Sequence, residues 1–255
     1  MASVDSQATR STLLSVDTTL SENINATQNY IPVASTTNFS TSVVAEIEST
    51  NEVVSFNDLS ENDFEHSEEF NDSYWSKTGL TLTADATTAP DGTTTADKIV
   101  TDSSTGVHLI DCLGFGNPPA GNNTMSIHVK KTGSFNFFYM RIDGANTMFN
   151  IDTGTVHSTP GGVTSTITDA GNGFFRIRAT KNMSGGSRVF FGISNDGTNI
   201  SFTGDGSSGF FVWGAQFENG TTLSTYLPTT SSALVGLTGV TRGVNGTTAQ
   251  AASSG

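Results

Sequence analysis

The chain has 255 residues, enough for one large domain or two modest ones, and it carries 11 Lys and Arg against 24 Asp and Glu, a formal net charge of −13. This negative balance repels phosphate backbones and argues against nucleic-acid binding. Only 14% of the residues are charged, whereas 27 are Gly and 17 are Phe, a composition that favours short strands and turns over helices with solvated charged faces. We therefore expect an all-β protein.

Neither a leader nor a membrane span is predicted. The first residues combine neither a basic start nor an apolar run, and no stretch approaches the roughly 20 apolar residues of a span, so we expect no membrane insertion. The one cysteine, Cys112, lies in the apolar stretch Val107–Leu113, where we expect it to be a small buried hydrophobic residue. A single cysteine forms no internal disulfide, so stability must come from packing or assembly.

The N-terminal part of the chain predicts an arm followed by a small β unit. Residues 1–30 are polar and rich in Ser, Thr and Asn, which favours an extended arm. Tyr30–Val33 begins the first strand, because its proline suits a strand start or edge. Glu46–Phe56 continues the β unit, and Leu234–Thr248 has the character of its second half.

This order predicts a discontinuous domain that carries an insert. Residues 31–56 and 233–255 form the small β anchoring domain, and residues 57–232 form the inserted domain. For the insertion to be tolerated, Asn57 and Ser232 must lie close together at one end of the insert. The small domain is near the size at which one core supplies only a few kcal/mol, so we expect it to depend on docking.

An acidic run from Asp58 to Asp72 joins the two parts. Hard cations require several carboxylates together, but the calcium-loop spacing with its fixed glycine is missing from this run. We therefore expect a solvated acidic face at the junction.

The insert has the pattern of a β-sandwich. From Trp75 to Leu227, short apolar runs recur between Gly, Asn, Asp and Pro, and no window offers a convincing amphipathic helix. Alternating apolar residues give each strand one apolar face, which a second sheet must bury. The clearest sets are Met125, Ile127 and Val129; Phe175, Ile177 and Ala179; and Phe211, Trp213, Ala215 and Phe217.

The two separated segments resemble a small module found in virion structural proteins of tailed bacteriophages. The matching stretches are Ile31–Phe39, Glu52–Phe56 and Thr241–Ala249, and Arg242–Thr247 is the most specific part. The chain departs from the module at Ala252, where the module often has histidine. The resemblance implies an anchoring motif whose members are Pro32, Phe39, Arg242, Gly243, Asn245, Gly246 and Thr247.

The insert resembles a second phage-associated module, a jelly roll similar to carbohydrate-binding domains. The matching stretches are Tyr74–Lys77, Ala89–Ile99, Gly171–Arg176, Trp213–Glu218 and Tyr226–Thr230. Together the two resemblances imply a virion component with a jelly-roll β-sandwich, but they do not by themselves imply a bound sugar.

The sequence contains no motif that predicts catalysis, a cofactor or a metal site. Gly204–Gly209 has the spacing of a dinucleotide fingerprint, but a strand pattern follows where that fingerprint needs a helix, so we expect a turn. The four histidines share no metal-ligand spacing, and no nucleophile motif is present. We predict a non-enzymatic protein without a cofactor.

Exposed aromatic residues are the candidates for sugar binding, because their faces stack on pyranose rings while polar neighbours bond the hydroxyls. The candidate contacts are Trp75, Tyr139 and Tyr226, with Arg141, Arg176 and Arg178 as polar partners. The opposing interpretation places Trp75 and Trp213 in the core and leaves the strand arginines solvated or paired with acids.

We expect a structural protein on the outer surface of a tailed-phage particle, made in the host cytoplasm, that decorates the capsid. Its expected partners are the major capsid protein and sister subunits in a homotrimer, with the arm and small domain docked on the shell and the jelly roll projecting outward. The alternative is a tail-fibre or baseplate adhesin that binds host cell-surface glycan through the jelly roll.

Overall fold

A computed structural model describes residues 30–33, 44–47, 52–55, 58–112, 115, 118–238, 240–241 and 248. Over these ranges the chain forms strands, turns and irregular segments, and it contains no helix. The expectation of an all-β protein is therefore confirmed for the described residues. The described residues contain no helix that is long and apolar enough to cross a membrane.

The strands in chain order are β1 (Tyr30–Val33), β2 (Val44–Ile47), β3 (Glu52–Ser55), β4 (Asp58–Asn62), β5 (Trp75–Thr78), β6 (Leu80–Thr87), β7 (Ala96–Thr101), β8 (Thr105–Val107), β9 (Leu109–Cys112), β10 (Gly121–Thr132), β11 (Phe137–Ile142), β12 (Ala145–Asn150), β13 (Thr155–Ser158), β14 (Val163–Gly171), β15 (Phe174–Met183), β16 (Val189–Ser194), β17 (Ser201–Thr203), β18 (Gly209–Asn219) and β19 (Leu234–Thr238).

The described residues fall into two compact units. Unit 1 comprises the described residues up to Glu61, the segment Ser224–Leu227 and the described residues from Leu234 onward. Unit 2 comprises Asn62–Leu223 and Pro228–Ala233. Each unit has sheets of its own.

Unit 1 is built on a three-stranded sheet in the order β1-β19-β4, beside which β2 and β3 form a separate two-stranded ribbon. β1 and β19 are antiparallel, with Tyr30 opposite Thr238. Gly236 permits their close approach, since a Cβ there would lie 2.8 Å from the carbonyl oxygen of Ile31. The chain therefore leaves this sheet at β4 and returns on the neighbouring strand β19. Asn57, which we expected beside Ser232, lies outside the described residues.

Unit 2 contains two six-stranded sheets and a ribbon of β17 and β8. The first sheet has the order β14-β15-β10-β18-β7-β6, and the second has the order β13-β12-β11-β16-β9-β5. Neighbouring strands within both sheets are antiparallel. Antiparallel sheets commonly bury one face and leave the other outside, so residues alternate along each strand between the core and the outer face.

The core lies between the two sheets. On β10 of the first sheet, Met125, Ile127 and Val129 are fully buried. From the second sheet, Phe138 reaches across until its ring centroid lies 5.3 Å from that of Phe210 on β18. Burial of each such side chain contributes about 1.5–3 kcal/mol. The apolar core shared by both sheets is what makes this unit a β-sandwich.

A bulge in the pairing of β18 with β10 overturns part of one predicted core set. The register shifts next to His128, and Gly214 on β18 has a φ of 61°. Beyond the bulge, Trp213 lies against His128 on the outer face, with 5.0 Å between the ring centroids. The prediction that Phe211 and Trp213 face the core is therefore wrong. The core face of β18 is formed by Phe210, Val212, Ala215 and Phe217.

Gly209→Ala tests the close approach of β18 to β7. A Cβ at Gly209 would overlap the backbone carbonyl of Ile99, which cannot move aside without disturbing the pairing of the two strands. We expect the free energy of unfolding to fall by about 1–3 kcal/mol or more, measured by urea denaturation followed by tryptophan fluorescence.

Gly106→Ala is the matched control for that measurement. A Cβ at Gly106 meets nothing within 4 Å, and the backbone of this residue is not left-handed. Its free energy of unfolding should stay within about 1 kcal/mol of wild type. An equal loss in the two variants would contradict the overlap at Gly209.

Candidate ligand-binding face

The second sheet turns one face away from the core, and its part around β11 carries the candidate site. Phe138 and Met140 of β11 point into the core, so the residues that alternate with them point outward. β12 and β16 flank β11 in register and add their own outward residues. We call this surface the β11 face; it consists of Phe137, Tyr139, Arg141, Asn146, Met148, Phe190 and Gly192.

A two-residue turn aligns β11 with β12. Asp143 and Gly144 both have left-handed backbone, with φ of 46° and 78°, as a type I′ hairpin turn requires. This turn fixes the register that places Arg141 opposite Asn146. The Nη1 atom of Arg141 donates to Oδ1 of Asn146 at 3.3 Å. The hairpin therefore sets a guanidinium beside an amide on the outer face.

Tyr139 lies at the centre of the β11 face and is fully buried. It is paired with Gly192 of β16, and a Cβ at Gly192 would overlap the tyrosine ring. The missing side chain of Gly192 thus gives the ring room to lie across β16. The Tyr139 hydroxyl is buried and has no hydrogen-bond partner among the described residues. Burial raises the pKa of Tyr139, against the charge of Arg141, so the hydroxyl is neutral.

Three side chains form a row across the same face, from β11 to β9. Arg141 lies opposite Phe190, which lies opposite Asp111. The guanidinium carbon of Arg141 is 5.3 Å from the centre of the Phe190 ring, within reach of a cation–π contact. Asp111 is 3% exposed, and its Oδ2 pairs with Arg188, whereas Oδ1 has no hydrogen-bond partner within the described ranges.

This combination suits a ligand that has apolar ring faces as well as hydroxyl groups. Phe137 and Phe190 are only half-buried, and the exposed His157 ring lies 4.7 Å from that of Phe137. Sugar C–H groups pack on such rings, while Arg141 and Asn146 supply donors and an acceptor for hydroxyls. The β11 face is therefore a candidate surface for a glycan.

The structure brings together only two of the residues predicted to contact sugar. Tyr139 and Arg141 share the β11 face, but the fully buried ring of Tyr139 has no face open to a sugar. Arg176 and Arg178 belong to the first sheet. Tyr226 belongs to unit 1 and is partly exposed.

Trp75 lies in the core of unit 2. It is 1% exposed, its ring centroid is 5.2 Å from that of Phe64, and its Nε1 donates to the carbonyl of His66 at 2.7 Å. A ring enclosed in this way has no face open to a sugar. The observation agrees with the opposing interpretation of this tryptophan.

The predicted anchoring motif falls largely outside the described residues. Pro32 lies on β1 opposite Gly236. The other members, Phe39, Arg242, Gly243, Asn245, Gly246 and Thr247, are outside the described ranges.

Sequence reasoning missed Phe190 and Asn146 as members of the β11 face. Asn146 could have been found, because Asp143 and Gly144 between two short strands are a strong signal for a two-residue hairpin, and that hairpin sets Arg141 opposite Asn146. Phe190 gives no such signal. It reaches the face only through the pairing of β11 with β16, which no local pattern encodes.

Unit 2 also contains an acidic cleft of about 430 Å³. Asp97 in its lining is 1% exposed, and burial raises the pKa of this carboxyl to about 6. The backbone N–H groups of Asp85 and Phe70 oppose that shift, each donating to Asp97 at 3.0 Å. Among the described residues, no three His, Cys, Asp or Glu side chains are grouped to hold a metal ion. The acidic residues of the cleft are Glu68, Glu69, Asp72, Asp85 and Asp97.

The outer face of the first sheet is polar and enclosed. His128 is 5% exposed, and its Nδ1 lies 3.4 Å from the carbonyl oxygen of Gly214. Burial, together with the charge of Arg176, lowers the pKa of His128 to about 3. Arg176 itself donates to Ser126 Oγ at 3.1 Å. The imidazole of His128 is therefore neutral in the folded protein over the physiological range.

No known protein-family model matches the chain, and no curated protein sequence is significantly similar to it. The resemblance of Ile31–Phe39 and Thr241–Ala249 to a phage module therefore stays a prediction.

Tyr139→Phe tests whether the hydroxyl of Tyr139 contributes to the stability of the fold. Because that hydroxyl is buried without a partner among the described residues, its removal should leave the free energy of unfolding unchanged or raise it by about 1 kcal/mol. Gly192→Ala should instead lower it by about 1–3 kcal/mol, because the added methyl group displaces the same ring. Urea denaturation measures both, and a loss in Tyr139→Phe as large as that in Gly192→Ala would contradict this geometry.

His128→Gln tests whether protonation of His128 destabilises the folded protein at low pH. Since the pKa of His128 is about 3 when folded and 6.5 as the ordinary value, stability from the buried neutral ring is complete above pH 6.5 and is lost as the pH falls towards 3. Urea titrations give the free energy of unfolding at pH 7 and at pH 4.5. Its decrease between these two pH values should be smaller by about 2–3 kcal/mol in the variant than in wild type. Equal losses in the two proteins would show that His128 does not control this range.

Over the same pH range, Asp97 changes the free energy of unfolding in the direction opposite to His128. Its pKa of about 6 lies above the ordinary value of 3.8, so its contribution is largest below pH 3.8 and is lost as the pH rises through 6. The wild-type curve is the sum of the two effects. For this reason the comparison of His128→Gln with wild type is more informative than either curve alone.

Proposed function

We propose that this chain is a non-enzymatic structural protein on the outer surface of a tailed-phage particle, where it decorates the capsid. Unit 1 and the N-terminal arm form the base, and unit 2 is a jelly-roll domain inserted into that base and displayed outward. The proposal depends chiefly on the pairing of β1 with β19. These strands come from the two distant segments that together resemble one virion module, and they are adjacent in a single sheet.

The position of β4 supports the inserted arrangement. Because β4 and β19 are neighbours in the sheet of unit 1, the polypeptide can leave and re-enter that sheet without opening it. Insertions are tolerated where the two ends of the inserted segment lie close together.

A sheet of three short strands gains stability from further partners. An edge strand can accept another strand from a shell subunit, which satisfies backbone hydrogen bonds on both proteins. Association as a homotrimer on the major capsid protein would bury more of the base and raise its stability through mass action. Both proposed contacts are made at surfaces, which supports a structural role over a catalytic one.

Immunogold labelling of intact particles tests where the chain is located. Antibodies raised against the sandwich should decorate the whole head in negative-stain images. Label confined to the tail tip would rule out capsid decoration.

A truncation tests the role of the arm. Removal of residues 1–28 should reduce occupancy on the particle and leave the thermal unfolding of the sandwich unchanged, because the arm serves attachment and not the core of unit 2. Occupancy equal to that of the full chain would contradict docking through the arm.

A second candidate function is a tail-fibre or baseplate adhesin that binds host cell-surface glycan. It is favoured by one observation, the grouping of the partly exposed Arg141, Asn146 and Phe190 on the β11 face. This function uses the displayed sandwich as the contact and the base as its attachment.

Glycan binding by purified protein tests this second function. Phe190→Ala should lower binding on a glycan array by at least about tenfold, because loss of a stacking ring removes on the order of 1–3 kcal/mol. Phe211→Ala, which truncates a half-buried phenylalanine on the first sheet, should bind as wild type does. The adhesin is excluded if the wild-type chain binds no glycan or if both variants lose binding equally.

A further inference from the structure

Lys77 on β5 extends its ammonium group into a ring of backbone carbonyl oxygens. Its Nζ lies 2.7 Å from the oxygen of Trp75, 3.0 Å from that of Phe70, 3.2 Å from that of Asp72 and 3.4 Å from that of Asn71. An ammonium group has three N–H donors, so four oxygens exceed what one-to-one hydrogen bonding uses. The geometry is that of oxygens gathered around a cation.

The loop that supplies these oxygens is held from both ends. Phe70 and Trp75 are core residues, 0% and 1% exposed, and their ring centroids are 5.1 Å apart. Within the loop, Tyr74 N donates to Asp72 Oδ1 at 2.7 Å. Because the loop is fixed in this way, its carbonyl dipoles converge on one point and cannot turn outward without disturbing the core. Convergent dipoles repel one another unless a positive charge lies among them.

Charge around the ring also favours a cation. Asp72 and Asp97 both attract the ammonium group, whereas burial lowers the pKa of Lys77. The carboxylates and the four carbonyl oxygens therefore have to offset the loss of water around the charge.

We propose that the carbonyl ring of residues 70–75 is a monovalent-cation site whose cation is the tethered ammonium of Lys77. The four groups around the ammonium, 2.7 to 3.4 Å from Nζ, are all neutral backbone carbonyl oxygens. Rings of backbone carbonyls do replace the hydration shell of potassium. Without the lysine side chain, the ring should therefore take free ammonium or potassium.

Lys77→Ala, which removes the tethered cation, provides the test. In tetramethylammonium chloride, whose cation is too large for the ring, the variant should melt several degrees below wild type. Ammonium chloride at the same concentration should raise its Tm by about 2–4 °C relative to tetramethylammonium, because an ion that binds only the folded state stabilises it by mass action. Potassium chloride should raise the Tm in the same direction, and wild type should show no such difference between the salts.

Lys181→Ala is the matched control. The Nζ of Lys181 contacts a single carbonyl and a carboxylate, both of Asp143, at 2.7 and 2.9 Å. Its removal should cost stability without any preference for ammonium over tetramethylammonium. If Lys77→Ala melts at one temperature in all three salts, or if Lys181→Ala shows the same preference, the cation site is excluded.

A measurement on the wild-type protein keeps the inference testable should Lys77→Ala fail to fold. Brief acetylation followed by mass spectrometry should modify Lys77 at least about tenfold more slowly than Lys98, because an amine whose protons lie among four oxygens must leave the ring before it reacts. Both residues are partly exposed, so exposure class alone does not predict a difference. Equal rates would overturn the proposal.

Discussion

The antiparallel pairing of β10 with a strand on each side is the constraint on which the arrangement of unit 2 depends. β10 has 12 residues and pairs with β15 on one edge and β18 on the other. The alternation of β10 is therefore followed by β15, and by β18 on either side of its bulge. Ile127 lies opposite Ile177 toward the core, whereas Ser126 lies opposite Arg178 on the outer face. A slip of one residue would turn the whole apolar set outward, so burial of this set fixes the register.

The same alternation gives the sandwich two outer faces of different chemistry. On the first sheet, polar groups satisfy one another, as when Thr124 and Thr180 share a hydrogen bond of 2.9 Å. On the second sheet, the half-buried ring of Phe190 lies beside Arg141, and the ring of Tyr139 on the same face is fully buried. Packing of the core decides which positions point outward but not which residues occupy them. The outward residues of the second sheet include the half-buried aromatic rings of Phe137 and Phe190.

The alternation of apolar and polar residues in the sequence predicts those features of the fold that depend on a single strand. The alternation from Met125 to Val129 needs only its own strand, and the placement of Tyr139 and Arg141 on one face follows from their spacing of two. The outward position of Trp213 was missed, because the bulge at Gly214 inserts a residue and inverts the alternation beyond it. Trp75 shows another limit, since an aromatic residue at a strand start has the same sequence signature whether its ring is enclosed or open.

The few cations of this acidic chain are used within the fold. Lys77, Lys130 and Arg178 donate to backbone carbonyls of loops, and Lys181 joins the Asp143 turn to β15. Carbonyls at turns have no strand partner, and a long basic side chain can satisfy them from a neighbouring strand. The chain carries 24 Asp and Glu against 11 Lys and Arg, so carboxylates outnumber its cations. This net negative charge repels polyanions such as nucleic acids.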